Sequence, residues 1–261
     1  MTFISGSEPV VSVSGRSALV TGSTSGIGAA VARSLAARGV QVVVSGRDST
    51  RGRQVVDDIA AAGGKAEFAV VDLAGTYTEL RDFAALACEL VGGQLDILVN
   101  NAGLYPVSAT EELADADLDA MLAVNIRAPH VLAAFYAPAM AERGSGVIVN
   151  IGSWMARVGT PYGAMYTASK AAAEQLTRNW AAEYGPRGVR VNTVAPGVTL
   201  TPGNEAFRNL VDAMTMTTPA GIPMRPDDIA AAVDFLASDQ ATMIHGTILS
   251  VDGGIDSTRL T

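Results

Sequence analysis

Short apolar runs alternate along this chain with longer segments in which apolar residues recur at helical spacing. Each short run stops at a glycine or a polar residue, as buried strands do, and the longer segments have the lengths of helices. Strands that alternate with such helices form right-handed βαβ units, whose parallel sheet is covered on both faces. Strands are predicted at residues 17–21, 40–44, 66–71, 95–99, 147–151, 188–194 and 247–251, and helices at 29–38, 48–62, 77–91, 111–143, 166–184 and 226–237. The pattern therefore predicts an α/β protein with a doubly wound parallel sheet.

The length and charge of the chain restrict its class. A single α/β domain routinely reaches 261 residues, and no repeat or linker divides the chain, so we predict one domain over 15–261 after an N-terminal extension, 1–14. Uninterrupted apolar runs stay below about 18 residues and no signal-peptide pattern is present, so neither a membrane span nor export is expected. The net charge of −8 disfavours a nucleic-acid or anionic-membrane surface. We expect a cytoplasmic protein.

A glycine-rich turn stands between the first predicted strand and the first helix. It runs from Thr21 to Gly28 and reads Thr-Gly-Ser-Thr-Ser-Gly-Ile-Gly. Glycine lets the backbone approach a phosphate closely, and the free N–H groups of a helix N-terminus stabilise the phosphate charge. The spacing is G-x-x-x-G-x-G, and no Gly-Lys-Ser/Thr follows as in a Walker-type loop. We interpret the turn as a phosphate-binding loop; a simple turn without a ligand is the alternative.

The residues after the second strand bear on the choice of dinucleotide. In dinucleotide-binding folds an acidic residue near this point binds the ribose 2′-hydroxyl, whereas an arginine accommodates a 2′-phosphate. Here Gly46 takes the place of the acid and Arg47 follows, which favours NADP(H) over NAD(H). Asp48 and Ser25, the latter where a basic residue would strengthen the assignment, leave the choice open. A solvated Arg47 without a ligand is the alternative.

Tyr166 and Lys170 stand four residues apart in a predicted helix, on one face. A phenol has a pKa of about 10, and a nearby ammonium favours the phenolate and lowers that pKa. Ser153, at the end of the preceding strand, adds a hydroxyl donor, and the three groups together form a proton-transfer site for a carbonyl or an alcohol. An ordinary exposed Tyr/Lys pair is the alternative. The chain has 16 arginines and only two lysines, so a lysine at this position is not a default surface cation.

Other polar residues have less specific patterns. Asn125 lies inside the long predicted helix, where it either marks a kink with a bound water or ties down a neighbouring strand. Cys88 stands in an apolar helical segment without a basic neighbour, and a buried, unreactive thiol is expected. His130 and His245 share no ligand spacing, so no metal site is expected.

Residues 198–224 contain no long apolar period. Loops of this length in compact domains are usually lids or binding loops, so we predict a substrate lid. Its methionines at 214 and 216 either line an apolar pocket or fill the lid itself.

Eight motifs follow one another in the order and at the spacing of a known family: Thr21–Gly28, Asp72-Leu73, Asn100–Gly103, Asn125, Ser153, Tyr166–Lys170, Pro196-Gly197 and Val251–Gly254. Together they resemble the short-chain dehydrogenase/reductase family over residues 15–255. The resemblance implies a Rossmann-like fold with about seven parallel strands. It also implies a nicotinamide cofactor and assembly into a homotetramer or homodimer.

The resemblance further implies residue roles. Tyr166 would be the general acid/base, with Lys170 lowering its pKa and holding the nicotinamide ribose. Ser153 would bind the substrate oxygen, and Asn125 would hold a water in a proton relay. The implied cofactor-binding residues, with Arg47 added from the strand pattern, are Gly22, Thr24, Ser25, Ile27, Asp72, Leu73, Asn101, Ala102, Gly103, Tyr166, Lys170, Pro196, Gly197, Thr199 and Thr201.

The implied function is NAD(P)-dependent hydride transfer between nicotinamide and a ketone or secondary alcohol. A 3-oxoacyl-thioester reductase and a small-molecule ketoreductase both fit. An NAD-dependent alcohol, sugar or steroid dehydrogenase is the alternative on the same fold. A catalytically silent nucleotide-binding regulator is the alternative from another class; such proteins typically lack the Tyr, Lys or Ser that this chain retains.

Overall fold

A seven-stranded parallel sheet forms the centre of the computed structural model, which describes residues 13–106 and 108–258. The strands are β1 (Ser17–Val20), β2 (Gln41–Gly46), β3 (Lys65–Val70), β4 (Ile97–Asn100), β5 (Gly146–Ile151), β6 (Val189–Pro196) and β7 (Ile248–Val251). Their order is β3-β2-β1-β4-β5-β6-β7. The chain builds outward from β1 to β3, then returns to place β4 beside β1, and this reversal creates a crevice at the carboxyl ends of β1 and β4. The predicted doubly wound, Rossmann-like fold class is confirmed.

Eight α-helices accompany the sheet in the described residues: α1 (Gly26–Ala37), α2 (Ser49–Ala61), α3 (Tyr77–Leu90), α4 (Asp115–Leu122), α5 (Ala128–Arg143), α6 (Ala164–Tyr184), α7 (Arg208–Thr215) and α8 (Pro226–Ala237). Neighbouring strand residues point to opposite faces of the sheet. Val20 and Val44 therefore belong to the core shared with α1 and α8, whereas Leu19 and Val43 belong to the core shared with α3 and α5. Because both faces are covered, the central strands β1, β4, β5 and β6 are buried along their whole length, whereas the edge strand β3 exposes Lys65 and Glu67.

The long helix predicted at 111–143 is divided in the structure. A 3₁₀ turn (Thr110–Glu112) precedes α4, and a π-helical turn (Ala123–Arg127) joins α4 to α5. A π-turn inserts an extra residue into the helical ladder, and such turns occur frequently at functional sites. Asn125 lies within it. The continuous apolar pattern could not show this local change of hydrogen-bond register.

The same run, Asp115–Arg143, has the length and apolar composition of a membrane-crossing helix, with a mean hydropathy of 1.2 over its most apolar 18 residues. Counting uninterrupted apolar residues missed it because Arg127 and His130 interrupt the run. The protein buries 56% of that stretch, and α5 packs against α3 and α6.

Three smaller predictions are corrected by the structure. Residues 1–12 of the predicted extension lie outside the described residues, but Val13 is fully buried in the core, so the domain begins before residue 15. Cys88 is half-buried rather than buried. The segment 198–224 is not without regular structure, because it contains α7, which is anchored through buried Val211 and Thr215.

Candidate active site

The glycine turn after β1 has the geometry of a phosphate cradle. Gly22 and Gly26 adopt φ values of 63° and 55°, a left-handed conformation that side chains disfavour. Gly28 has no room for a side chain, since a Cβ there would lie 2.4 Å from Nδ2 of Asn101. Ser25 precedes α1 without capping it through its side chain, so the N–H groups of the first turn remain free for an anion. The turn fits a dinucleotide pyrophosphate.

Asn101 has a structural role that the resemblance did not imply. Its side-chain amide donates to the carbonyl oxygens of Thr21 and Gly22 at 2.8 and 3.1 Å. The backbone N–H groups of Asn101 and Ala102 both donate to Oγ1 of Thr21. Residues that follow β4 thus hold the cradle that follows β1. Instead of presenting a free amide to the nicotinamide, Asn101 fixes the shape of the phosphate loop, although it still lines the cleft described below.

The residues predicted near the adenosine ribose lie at the ends of β2 and β3. Arg47 is exposed, and within the described residues it forms no ion pair. Neighbouring Asp48 does not neutralise it, because the Asp48 carboxylate accepts from the N–H of Arg51 and pairs with its guanidinium at 2.7 Å, which lowers the Asp48 pKa. Asp72 is exposed and Leu73 is buried. The exposed guanidinium is therefore free for a phosphate.

Ser153, Tyr166 and Lys170 converge at the carboxyl end of β5. Tyr166 and Lys170 lie one turn apart on α6, and Ser153 follows the strand. The side chains of Ser153 and Tyr166 line the same cleft, and Ser153 lowers the pKa of the Tyr166 phenol. Nζ of Lys170 donates to the backbone oxygen of Ile151 at 2.8 Å and lies 5.9 Å from the centre of the Tyr166 ring. The structure thus brings together the three residues predicted to be catalytic, Ser153, Tyr166 and Lys170.

Burial dominates the acid–base properties of Tyr166 and Lys170. Burial raises the pKa of Tyr166 above its usual value, and the hydrogen bond from Ser153 only partly offsets this. Lys170 is itself buried, and loss of hydration lowers its pKa to about 8. In the protein alone, desolvation is therefore the largest influence on the pKa of both groups, and the lowering of the phenol pKa by Lys170 stays a prediction.

Asn125 connects the π-turn to the catalytic helix. Its Oδ1 accepts from N–H of Leu104, and its Nδ2 donates to the oxygen of Leu104 and to Oγ of Ser169, all at 2.8–3.0 Å. The sequence left two roles open for Asn125, a kink with a bound water or a tie to a neighbouring strand. Its direct contacts are those of a tie, because they hold the segment that follows β4. A small cavity of about 10 Å³, the size at which one water begins to fit, adjoins Asn125 and Lys170. It is also lined by Asn100, whose buried Oδ1 has no partner among the described residues.

The chain after β6 forms the wall beside the cradle. Gly197 passes so close to Asp252 that a Cβ would lie 2.7 Å from its Cα. Asn204 organises the next residues, since its amide donates to the oxygen of Thr199 and accepts from N–H of Thr201. The Thr201 side chain lies 3.5 Å from the Cβ position of Gly26 in the phosphate loop. This placement brings the residues predicted for the nicotinamide half next to those predicted for the pyrophosphate.

A cleft of about 730 Å³ joins these parts. It is lined by the catalytic trio, by predicted cofactor residues that include Ile27, Gly103 and Pro196, and by large apolar side chains. Met214 lines it and Met216 does not. Sequence reasoning missed several of its wall residues, among them Tyr105, Trp154, Met155, Phe207 and Leu210. The sequence signal that could have identified these wall residues is a large aromatic or aliphatic side chain directly beside a motif or within the predicted lid.

Comparisons with known proteins agree with this geometry. A family model described as Enoyl-(Acyl carrier protein) reductase matches residues 22–256. The chain is 38% identical over 242 residues to D-threitol dehydrogenase of Mycolicibacterium smegmatis, with 92% of each chain covered. It is 37% identical over 247 residues to 3beta-hydroxysteroid dehydrogenase 1 of Eggerthella lenta, covering 92% of this chain and 94% of that one. A solved structure from Beutenbergia cavernae is also similar, with a TM-score of 0.88 and 38% identity over 96% of this chain and all of that one. That protein is provisionally assigned as an NAD(P) dependent gluconate 5-dehydrogenase and contains NADP at low occupancy.

Proposed function

The chain belongs to the short-chain dehydrogenase/reductase family and is an NAD(P)-dependent oxidoreductase, and from that premise we propose that it interconverts a ketone and a secondary alcohol with NADP(H) as the favoured cofactor. The observation that carries this proposal is the meeting of Ser153, Tyr166 and Lys170 in one cleft, which the phosphate loop also lines through Ile27. The names of the threitol and steroid relatives both describe alcohol oxidation, which supports the substrate class. Reduction of an acyl thioester ketone is the variant that the family description suggests.

The cofactor supplies or accepts the hydride, and the residues of this chain manage the proton. In the reductive direction, the Tyr166 hydroxyl donates its proton to the carbonyl oxygen as that oxygen gains negative charge. The Ser153 hydroxyl donates a second hydrogen bond to the same oxygen, and this bond strengthens as charge develops. In the oxidative direction Tyr166 first loses its own proton to solvent, and the resulting phenolate oxygen takes the proton of the alcohol. The raised pKa of Tyr166 in the protein alone favours the protonated form, which is the donor in the reductive direction.

Lys170 completes the proposed proton path. Its ammonium is held against Ile151, beside the small cavity that Asn100 and Asn125 also line. We propose that a water in this cavity is held by the unpartnered Oδ1 of Asn100 and passes protons between Lys170 and the outside. Asn125 then acts as the anchor that keeps the cavity wall in place. Lys170, which lines the cleft, would hold the ribose hydroxyls of the cofactor.

The role of Tyr166 is tested by Tyr166→Phe. General acid–base catalysis contributes about 10²- to 10⁴-fold, so turnover of a ketone should fall by about 100-fold or more while cofactor binding persists. Tyr162→Phe is the matched control, because Tyr162 is exposed and lies outside the cleft lining. Unchanged turnover in Tyr166→Phe would refute the mechanism.

The cofactor preference is supported by the exposed, unpaired Arg47 and by NADP bound in similar structures. Hydrogen bonds to charged groups contribute about 1.5–3 kcal/mol, so Arg47→Ala should weaken NADPH binding by about tenfold or more and leave NADH binding unchanged. Arg53→Ala, at another exposed arginine, serves as the control. If the parent protein binds NADH as tightly as NADPH, the preference for NADP(H) is wrong.

We further propose a homotetramer or homodimer in the cytoplasm. Support for self-association comes from a groove of about 760 Å³ on the surface of α4 and α5, lined by Tyr77, Leu122, Ile126 and Arg127, and from exposed alanines on α6. Light scattering coupled to size-exclusion chromatography measures the mass. A monomer at all micromolar concentrations would overturn the assembly proposal.

A further inference from the structure

Beyond the reacting hydroxyls, the walls of the cleft are dominated by large apolar side chains. Three short segments supply them: the chain after β4, the turn after β5 and the lid. The residues concerned are Tyr105, Trp154, Met155, Phe207, Leu210 and Met214. The ring of Tyr105 lies against that of Tyr166, with 4.2 Å between the centroids, so the apolar surface reaches the reacting phenol itself.

The lid helix α7 exposes its apolar side into this cleft. Val211 and Thr215 are 5% and 2% exposed and anchor the helix, whereas Leu210 and Phe207 remain 60% and 64% exposed although both line the cleft. Leu210 and Met214 stand four residues apart and share one face of the helix. Apolar surface left in water costs about 25 cal/mol per Å², and a ligand that covers it recovers that free energy. The lid is therefore shaped to gain stability from an apolar occupant.

Polar groups for binding a charged or many-hydroxyl substrate are few in the cleft. Lys170 is the one charged residue among the lining side chains in the described part of the chain, and its ammonium is buried against Ile151. The amides of Asn101 and Asn204 are already bound to backbone oxygens. Nearby Arg208 does not line the cleft and pairs with acidic neighbours on its own helix turn. No free cation is thus placed to bind a carboxylate in the described residues.

We propose that the substrate is a neutral, bulky, apolar ketone or secondary alcohol, alicyclic or aromatic, and that Leu210 and Met214 of α7 determine this specificity. Sugar acids and polyols are disfavoured, because their carboxylate or hydroxyl groups would lose water without finding partners on these walls. This inference rests on the proposed function, since it names the substrate of the same site. The hydroxyl of Tyr105 and the indole N–H of Trp154 remain available to orient one polar group.

The test is a homologous series of ketones: cyclohexanone and its 4-methyl, 4-ethyl and 4-propyl derivatives, each assayed with NADPH and NADH. Burying one methylene is worth about a fourfold gain in binding, so kcat/KM should rise by about fourfold for each added carbon until the cleft is filled. The gain should appear mainly in KM, because these carbons lie away from the reacting oxygen. D-Threitol and gluconate, assayed in the oxidative direction, should be poor substrates.

Two variants and a control locate the specificity. Leu210→Ala and Met214→Ala should each lower kcat/KM for the 4-propyl ketone by about tenfold, as expected for loss of apolar contacts worth about 1.4 kcal/mol, and this loss should exceed the loss for cyclohexanone, which has no propyl group to contact them. Met216→Ala is the control, because Met216 belongs to the same segment, is 71% exposed and lies outside the cleft lining. An equal loss in Met216→Ala would show that the lid as a whole, rather than these two side chains, is responsible.

The outcomes separate this inference from the function on which it rests. A flat response to chain length together with efficient oxidation of threitol or gluconate overturns the inference and leaves the oxidoreductase function intact. If no compound is turned over, calorimetric titration of the ketone series decides. Binding that tightens with each carbon then supports the apolar site although the proposed reaction fails, and absence of binding overturns both.

Discussion

Replacing Lys170 with methionine should remove the proposed proton path and, at the same time, make the protein more stable near neutral pH. The Lys170 ammonium is buried, and its pKa falls from the ordinary 10.5 to about 8. A lysine whose folded-state pKa is lowered destabilises the fold below that pKa, because both states are charged there and only the folded state has lost hydration. The penalty disappears as the pH rises from about 8 towards 10.5.

The size of the effect follows from the pKa change. A displacement from 10.5 to about 8 corresponds to about 3 kcal/mol at pH 7. Loss of the hydrogen bond to Ile151 subtracts about 1–3 kcal/mol from the gain, but this loss does not depend on pH. As the pH rises from 7 to about 9.5, the parent should therefore gain about 2 kcal/mol of unfolding free energy relative to Lys170→Met, whatever the difference between the two proteins at pH 7.

The assay is urea unfolding of both proteins, followed by circular dichroism at several pH values. Groups that titrate in both proteins cancel in the difference, which isolates Lys170. Lys65→Met is the matched control, because Lys65 is the other lysine of the chain and lies exposed on β3. A constant difference for Lys170→Met over this range would refute the conclusion that burial lowers the pKa of Lys170.

Three further predictions concern the scaffold. Gly28→Ala should lower the unfolding free energy by about 1–3 kcal/mol and weaken dinucleotide binding, because the new Cβ would lie 2.4 Å from Asn101. Gly159→Ala is the control, since a Cβ there would have no atom within 4 Å. Equal changes in melting temperature for the two variants would contradict the prediction. Arg190→Met should lower the unfolding free energy by several kcal/mol in urea titration, because the buried guanidinium donates hydrogen bonds to backbone oxygens at the C-terminal end of α8. An unchanged unfolding midpoint would show that those hydrogen bonds contribute nothing. Thr76→Ala should cost about 1 kcal/mol by removing the capping box of α3, and a loss below half that value would disprove the capping role.

Local sequence patterns predicted most of the helices and strands. The helix Pro226–Ala237 was predicted with the bounds that the structure gives, because a proline in the first turn, followed by two acidic residues, marks a helix start by local chemistry. The strands were located to within two residues, because most of them are apolar runs that stop at a glycine or a polar residue. The π-turn was not predicted, because its cause is a hydrogen-bond register that leaves no trace in apolar spacing.

The asparagines illustrate what a motif does not specify. Both Asn101 and Asn125 were placed near the reaction from their motif positions, and both do lie there. Their side chains, however, bind backbone groups of Gly22 and Leu104, which are 79 and 21 residues away in the chain. A side-chain amide satisfies whichever donor or acceptor the fold brings near it, so its partner depends on tertiary contacts.

The sequence by itself determined the alternation of strands and helices, the phosphate cradle and the presence of Ser153, Tyr166 and Lys170, because each depends on residue type and short-range spacing. The tertiary structure alone decided how these groups behave. Burial sets the pKa of Lys170 near 8 and raises that of Tyr166. The apolar cleft is likewise built from segments distant in the chain. Hydration and pocket shape depend on every neighbour in space, and only the folded chain specifies which neighbours those are.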